Sequence, residues 1–204
     1  MGLRYNFYPT NQRSCGKVIA EPKVTISRLV FKVLEGKNVN LRNAAKNDVL
    51  LVVQWWSDQQ YMGEYQDTRT LSKEELEKVM LERTVFFMIE KKDGAKIGHI
   101  GGWMLGRTME MGFALLPNER RKGYGTEAIQ LMVDHLFITK DIARIQVSTD
   151  TKNVASQKAL EKAGFLREGT MRKSWYTRGD YRDHYLYSIL REEWKEPKIL
   201  TKTT

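Results

Sequence analysis

One cysteine, Cys15, is all the chain has. That scarcity excludes an intramolecular disulfide and a multi-cysteine metal site. Cys15 lies in a poorly patterned stretch with no histidine near it, and it reads as an incidental thiol. The three histidines show no ligand spacing with carboxylates, so the expectation is that no metal is bound. No apolar run approaches the length that spans a bilayer, and Met1 to Gln12 lacks the charged-then-apolar pattern of a leader. The expected setting is cytoplasmic, with no membrane partner. There is no long Lys/Arg tract, no internal repeat and no low-complexity linker.

What is present fits one ordinary domain with an extension: 204 residues, 41% hydrophobic and 29% charged, with a formal net charge of +9. A basic balance favours anionic partners, whether nucleic acid, an acidic substrate or a phosphorylated cofactor, without choosing among them. Residues 1–33 form an extension in which Pro9, Gly16 and Pro22 interrupt two short strand-like runs, at Val24–Ser27 and Leu29–Phe31. A domain follows over 34–195, then a frayed tail over 196–204.

Within that domain Val39 to Arg42 alternates as a strand does. Asn47 or Asp48 can cap a helix with Val49, Val52, Val53 and Trp56 on one face. Ser72 and Glu75 form a capping box for a second helix, with Leu71 and Leu76 as its hydrophobic staple. Strands over 85–91, 96–104 and 109–116 come next, the first two joined by a turn at Asp93-Gly94. Gly101-Gly102 inside the middle strand predicts a bulge or a close backbone approach. After a loop, 126–137 repeats at helical spacing, and 144–149 is a strand with Ile145 and Val147 on one face. Asn153 precedes a helix that Gly164 ends, and two strands flank Gly179-Asp180. The expected fold class is α/β: a mixed, mostly antiparallel sheet of six to seven strands with helices on both faces.

The chemistry gathers at the loop Leu116 to Ala128. A strand enters it, a helix leaves it, and between them lie Arg120, Arg121, Lys122 and two glycines, Gly123 and Gly125. Free amides at the positive end of a helix dipole bind phosphate. Arg120-x-x-Gly123-x-Gly125 resembles the acetyl-CoA motif of the GNAT superfamily of N-acetyltransferases. Five further stretches resemble its ribosomal-protein N-terminal branch, the RimJ/RimL-like group. They are Gly36-x-x-Val39-x-Leu41-Arg42, Gly123 to Ala128, Asn153-x-x-Ser156, Glu161 to Phe165 with Glu168-Gly169, and Tyr187 to Leu190. The resemblance covers roughly residues 34 to 195.

This resemblance implies acetyl-CoA as co-substrate and direct attack by an amine in a ternary complex, the sheet being split at the cofactor site. The cofactor would lie along Phe113, Ala114, Leu115 and Leu116. It would meet Arg120, Arg121, Lys122, Gly123, Tyr124, Gly125 and Thr126 at its phosphates, and Asn153 and Ser156 farther along its arm. Glu110 is the expected general base, although an α-amine can also lose its proton through water. Many relatives carry a tyrosine four residues before the glycine of Gly164-Phe165. Here Leu160 stands there, and Ser156 takes the place beside the CoA sulfur. Asn153 binds the cofactor arm, caps its helix, or does both.

Trp55, Trp56, Tyr61, Tyr65 and Trp103 are candidates to line the acceptor cleft; His99, His135 and His184 read as strand and helix residues. The acceptor implied is a protein N-terminal α-amine, such as that of a ribosomal protein. The basic surface fits that acceptor and disfavours a free polycation. A small-molecule amine, or a non-catalytic acetyl-CoA sensor or RNA-binding module on the same fold, are the alternatives. Nucleic-acid contact and a homodimer are compatible with all of these.

Overall fold

A computed structural model describes residues 33–68, 71–82 and 85–199, and for 81 and 82 only the backbone. Cys15 and the runs expected at Val24–Ser27 and Leu29–Phe31 lie outside these residues. Eight strands form one sheet: β1 Val33–Glu35, β2 Val39–Asn43, β3 Val85–Lys91, β4 Lys96–Leu105, β5 Thr108–Leu115, β6 Arg144–Asp150, β7 Leu166–Thr177 and β8 Asp180–Leu190. Their order across the sheet is β1-β2-β3-β4-β5-β6-β8-β7. Every pair is antiparallel except β5 with β6. The count exceeds the sequence expectation by one because β1 is only three residues long, too short to show a period.

The helices are α1 Val49–Ser57, α2 Gln59–Met62, α3 Lys73–Glu82, α4 Tyr124–Thr139 and α5 Val154–Ala163. They divide between the two faces, and β3 shows how. Val85, Phe87 and Ile89 enter one core with α4 and α5, while Phe86 and Met88 enter a second with α1, α2 and α3. A strand buried on both faces reads as an unbroken apolar run, as Val85 to Ile89 does. Each buried Phe or Met contributes about 2 kcal/mol relative to exposure.

Local chemistry sets the element ends. Glu75 N–H donates to Ser72 Oγ at 3.1 Å and Ser72 N–H to Glu75 Oε2 at 2.9 Å, completing the capping box of α3. Asn153 Oδ1 accepts the Ser156 amide at 3.1 Å and so caps α5, which Gly164 ends in the left-handed region at φ 103°. Arg178 and Gly179, at φ 54° and 80°, make the two-residue turn between β7 and β8, a type I′ geometry.

Three expectations are corrected. Asp48 does not cap α1; its buried carboxylate takes hydrogen bonds from the Ala45 amide, Arg42 and Lys96. The apolar face of α1 is Val49, Val52, Trp55 and Trp56, with Val53 turned partly out. Residues 196–199 are not frayed. Buried Asp134 of α4 accepts the Trp194 indole N–H at 2.9 Å, the Lys198 amide at 3.1 Å and the Ile199 amide at 2.8 Å.

This tail and α5 cover the side of α4 that the sheet leaves open, which is why α4 is buried nearly all round. Arg191 closes its far end, donating to Phe137 O and Lys140 O. At the near end Glu127 accepts the amides of Asn38 and Val39. Both charges suit the helix dipole, and together they fix where α4 begins.

Candidate functional site: a split in the sheet

The parallel pair β5–β6 is the break in an otherwise antiparallel sheet. Its pairing covers only Thr108, Met109 and Glu110 against Arg144, Ile145 and Gln146. Beyond that point β5 runs on to Leu115 beside β4, and β6 runs on to Asp150 beside β8. The two strands therefore diverge, and a cleft of about 410 Å³ opens at the split.

Glu110 stands at the apex. It is half-buried rather than a solvent-facing edge carboxylate, and Gln146 Nε2 donates to its Oε2 at 2.6 Å. Ser148 hydrogen-bonds the same carboxylate. Gln146 is oriented in turn by Arg144 Nε at 3.0 Å, and Arg144 is clamped by Glu168 at 2.6 and 2.5 Å. Burial pushes the Glu110 carboxyl above the usual carboxylate range, against the hydrogen bonds from Gln146 and Ser148 that favour its charge. A carboxylate with raised proton affinity, set in a cleft and held by a fixed amide, suits a proton acceptor.

On the floor beside Glu110, Gly101 of β4 faces Gly112 of β5 in register. A side chain at Gly112 would meet nothing within 4 Å. Gly101 is covered by Val85 O and Phe86, which a Cβ there would meet at 3.0 and 3.1 Å, so the open trough lies over Gly112. The cover over Gly101 is the close approach expected at Gly101-Gly102; the bulge of β4 falls instead opposite Ile89 and Glu90.

Trp56, Phe86, His99 and Trp103 stand on one side of the trough. Ser148, Asp150, His184, Trp175 and Tyr176 stand on the other. Tyr65 to Asp67 edge it, and are tied across by Tyr65 O–H to Lys152 O at 3.1 Å and by the Arg178 amide to Asp67 Oδ1 at 3.0 Å. Of the aromatic candidates Trp56, Tyr65 and Trp103 line the cleft. Trp55 and Tyr61 are core, with Tyr61 O–H within 2.7 Å of His99 Nδ1.

His99 and Asp150 are cleft residues that the sequence reading did not place there; His184 lines it too. A signal existed for Asp150. Gln146, Ser148 and Asp150 occupy the alternate positions to Ile145 and Val147, so they share the face of Glu110. His184 is paired with Asp150 in the β6–β8 register, a long-range fact with no local mark. Burial lowers the proton affinity of the His184 imidazole.

At the wider end of the split, β5 leads through Leu116 into the loop and α4. Gly123 is the N-cap in the left-handed region at φ 88°, with open space around it. The amides that open a helix have no partner within it, and here Tyr124, Gly125 and Thr126 supply them. Gly125 acts differently from Gly123, since a Cβ there would touch Leu115 and Phe113 at 3.5 and 3.8 Å; its place is the close seating of α4 on β5.

The cations of the loop divide. Arg120 turns inward, donating to Leu115 O at 3.0 Å, Tyr61 O at 2.6 Å and Gln60 O at 3.3 Å. Lys122 pairs with Glu119 at 3.0 Å, and Arg121, at φ 63°, is exposed. Two of the three cations that the sequence brought forward are thus engaged within the protein, while the opening amides of α4 have no partner inside the helix. Phe113, Ala114, Leu115 and Leu116 lie on the β5 arm of the split as expected. Asn153 lines the cleft, whereas Ser156 is not among its lining residues. Leu160 is fully buried in the α4/α5 core.

A sheet split between a parallel strand pair, with a glycine-led helix at one end and a half-buried carboxylate at the apex, suits an acyl-transfer scaffold. The family comparison agrees: the acetyltransferase (GNAT) domain model matches residues 38–166. The chain belongs to the GNAT acetyltransferases, and is by that membership an acyltransferase. It is similar to two uncharacterized N-acetyltransferases. One is YnaD of Bacillus subtilis, 32% identical over 53% of this chain and 65% of YnaD. The other is p20 of Bacillus licheniformis, 27% identical over 80% of this chain and 99% of p20. The chain thus spans just under two thirds of the first and nearly all of the second.

Two solved structures share the fold. A ribosomal-protein alanine acetyltransferase from Vibrio fischeri has a TM-score of 0.71 at 20% identity, over 81% of this chain and all of that one. A spermidine N-acetyltransferase from Vibrio cholerae, in complex with CoA and spermine, has 0.70 at 20% identity, over 78% of this chain and 99% of that one.

Proposed function

We propose that the chain transfers an acetyl group from acetyl-CoA to a protein N-terminal α-amine, by direct attack within a ternary complex. The observation that carries this reading is the divergence of β5 from β6 directly after Glu110 and Gln146. It leaves a slot through the sheet with a proton acceptor at its apex, so that donor and acceptor can meet there from opposite faces.

The residues present fit the donor. The opening amides of α4 and the left-handed Gly123 would receive the pyrophosphate, and the β5 arm from Phe113 to Leu116 would lie beside the pantetheine. Asn153 would edge the arm from the other side while capping α5, and both of its roles are compatible. Ser156, one turn into the same helix, would stand farther along, toward the sulfur.

In the transfer itself, an ammonium in the trough gives a proton to Glu110, directly or through one water. The freed amine attacks the thioester carbonyl, the C–N bond forms, the C–S bond breaks, and the second proton of the nitrogen passes to the departing thiolate, leaving the amide and free CoA thiol. The α-amine of a chain terminus has a pKa of about 8, so deprotonation requires little driving force and one carboxylate suffices. The glycine floor supports a polypeptide acceptor, because it admits a main chain against the sheet. The second reading is a small amine. It has the spermidine acetyltransferase fold in its favour, and one observation of this chain, the acidic lining of the cleft taken up below.

The test is CoA release from acetyl-CoA over a panel of N-terminal peptides and small amines. Release with peptides, lowered about 10²- to 10³-fold in kcat/KM by Glu110→Gln, is expected. Unchanged turnover in that variant would remove Glu110 from the mechanism. Release with small amines alone would replace the acceptor.

A further inference from the structure

The chain is strongly basic, yet among the described residues lining its cleft there is no lysine and no arginine, while Asp67, Glu110 and Asp150 are all present. These carboxylates are not equivalent. Asp150 is buried and ion-paired with Arg182 at 2.9 Å. Glu110 is held by Gln146 at the apex. Asp67, at the outer edge, is exposed and accepts the Arg178 amide.

A second observation lies beside Asp67. Two aromatic side chains of the cleft wall there remain substantially open to solvent, Trp175 at 48% and Tyr176 at 59%; Trp103, at 39%, is paired with Glu110 at the apex. Large aromatics left exposed around a concave site mark a surface that a ligand covers. Aromatic faces beside a carboxylate select a positively charged group, and the arginines nearby are engaged, Arg182 by Asp150 and Arg178 by Gly63 O.

The outer aromatics stand well away from the apex. Gln146 is opposite Glu110, and Asp150 lies four residues farther along β6, about 13 Å at the usual strand rise. A charge bound at this outer end is therefore not the amine that reacts.

We propose that the outer end of the trough, walled by Trp175, Tyr176 and Asp67, is a subsite for a second positive charge on the acceptor, several bonds from the amine that is acetylated. The inference rests on the acetyl-transfer reading and narrows it to acceptors with two cationic groups. Two sources carry that chemistry: a peptide N-terminus with lysine or arginine near its start, and a free polyamine. The proposal runs against the expectation that the chain's overall positive charge disfavours polycations. Overall charge governs approach at long range, whereas the groups within a few ångströms of the ligand decide what stays.

The test uses the full chain with acetyl-CoA and a matched series: Ala-Lys-, Ala-Ala- and Ala-Glu- peptides of the same length, spermidine, and a simple monoamine. The lysine peptide is expected to exceed the alanine peptide by about tenfold in kcat/KM, and the glutamate peptide to fall below it. Asp67→Asn, an exposed substitution, and Trp175→Leu should each shrink the lysine-to-alanine ratio to about threefold or less. Spermidine turning over faster than any peptide and faster than the monoamine would uphold the second charge and identify a polyamine as its source. Equal rates for the three peptides with spermidine no better than the monoamine, or a ratio untouched by both variants, would overturn the inference and leave the transferase reading standing. Acetyl-CoA binding with no CoA release on any amine would remove both.

Discussion

Glu110 and Gly112 carry the site at the level of single residues. As the proposed base, Glu110 would act only when ionised, and burial raises its proton affinity. The acid limb of kcat/KM should therefore sit above the ordinary carboxylate range. Activity is kept above that limb and lost as pH falls through it. In Glu110→Gln the limb should vanish while the acceptor's own limb near its amine pKa remains. A limb unchanged in the variant would assign it to another group.

Gly112 offers a cleaner probe. Its φ is ordinary and a Cβ meets no atom, so Gly112→Val should leave Tm nearly unchanged while filling the trough. We expect kcat/KM with peptide to fall about 100-fold with little change in acetyl-CoA affinity. Equal activity in that variant would place the acceptor elsewhere. Glu110 was legible in the sequence through its place in a family pattern. The trough was not, because the open side of Gly112 depends on which strands flank it, and a sequence shows no register between strands.

At the scale of elements, the signals that act locally were read correctly. The Ser72–Glu75 box, the Asn153 cap, the Gly164 stop and the Asp93-Gly94 turn each depend on neighbours within four residues. What escaped was long-range. Asp48 looks like a cap in sequence because it precedes a helix, but Arg42 and Lys96 outbid the helix amides for its carboxylate. Asp134 looks like a polar spot on an amphipathic helix, and in the fold it holds a tail more than sixty residues away.

Asp134→Ala should therefore leave three donors without their acceptor and release residues 194–199. The expected loss is about 3 kcal/mol, or roughly 10 °C in Tm, by thermal unfolding. Proteolysis should then cut near Glu196 in the variant and not in the parent. A Tm within a degree or two of the parent would mean that the tail contributes nothing.

Across the whole molecule, the sheet separates two jobs. The α4/α5 face brings a helix N-terminus to one end of the split, and the α1–α3 face opens a trough walled by carboxylates and aromatics. Fold class and family were readable because strand and helix periods and five short stretches agreed in order along the chain. The acceptor face was not, since its walls come from α1, the segment after α2, and β3 to β8, joined only in three dimensions. Overall charge also says nothing of the local lining: the chain is basic, while Asp67, Glu110 and Asp150 line the cleft.

The central claim is that acetyl passes directly across this split from acetyl-CoA to an amine. Incubation with acetyl-labelled CoA thioester and an acceptor peptide, followed by mass analysis of both peptide and protein, tests it in one measurement. The account predicts one acetyl group on the peptide's N-terminal nitrogen, CoA released in equal amount, and none on the protein at any time. Label held on the protein before it reaches the peptide, or acetyl-CoA bound and left intact in the presence of every amine, would contradict it.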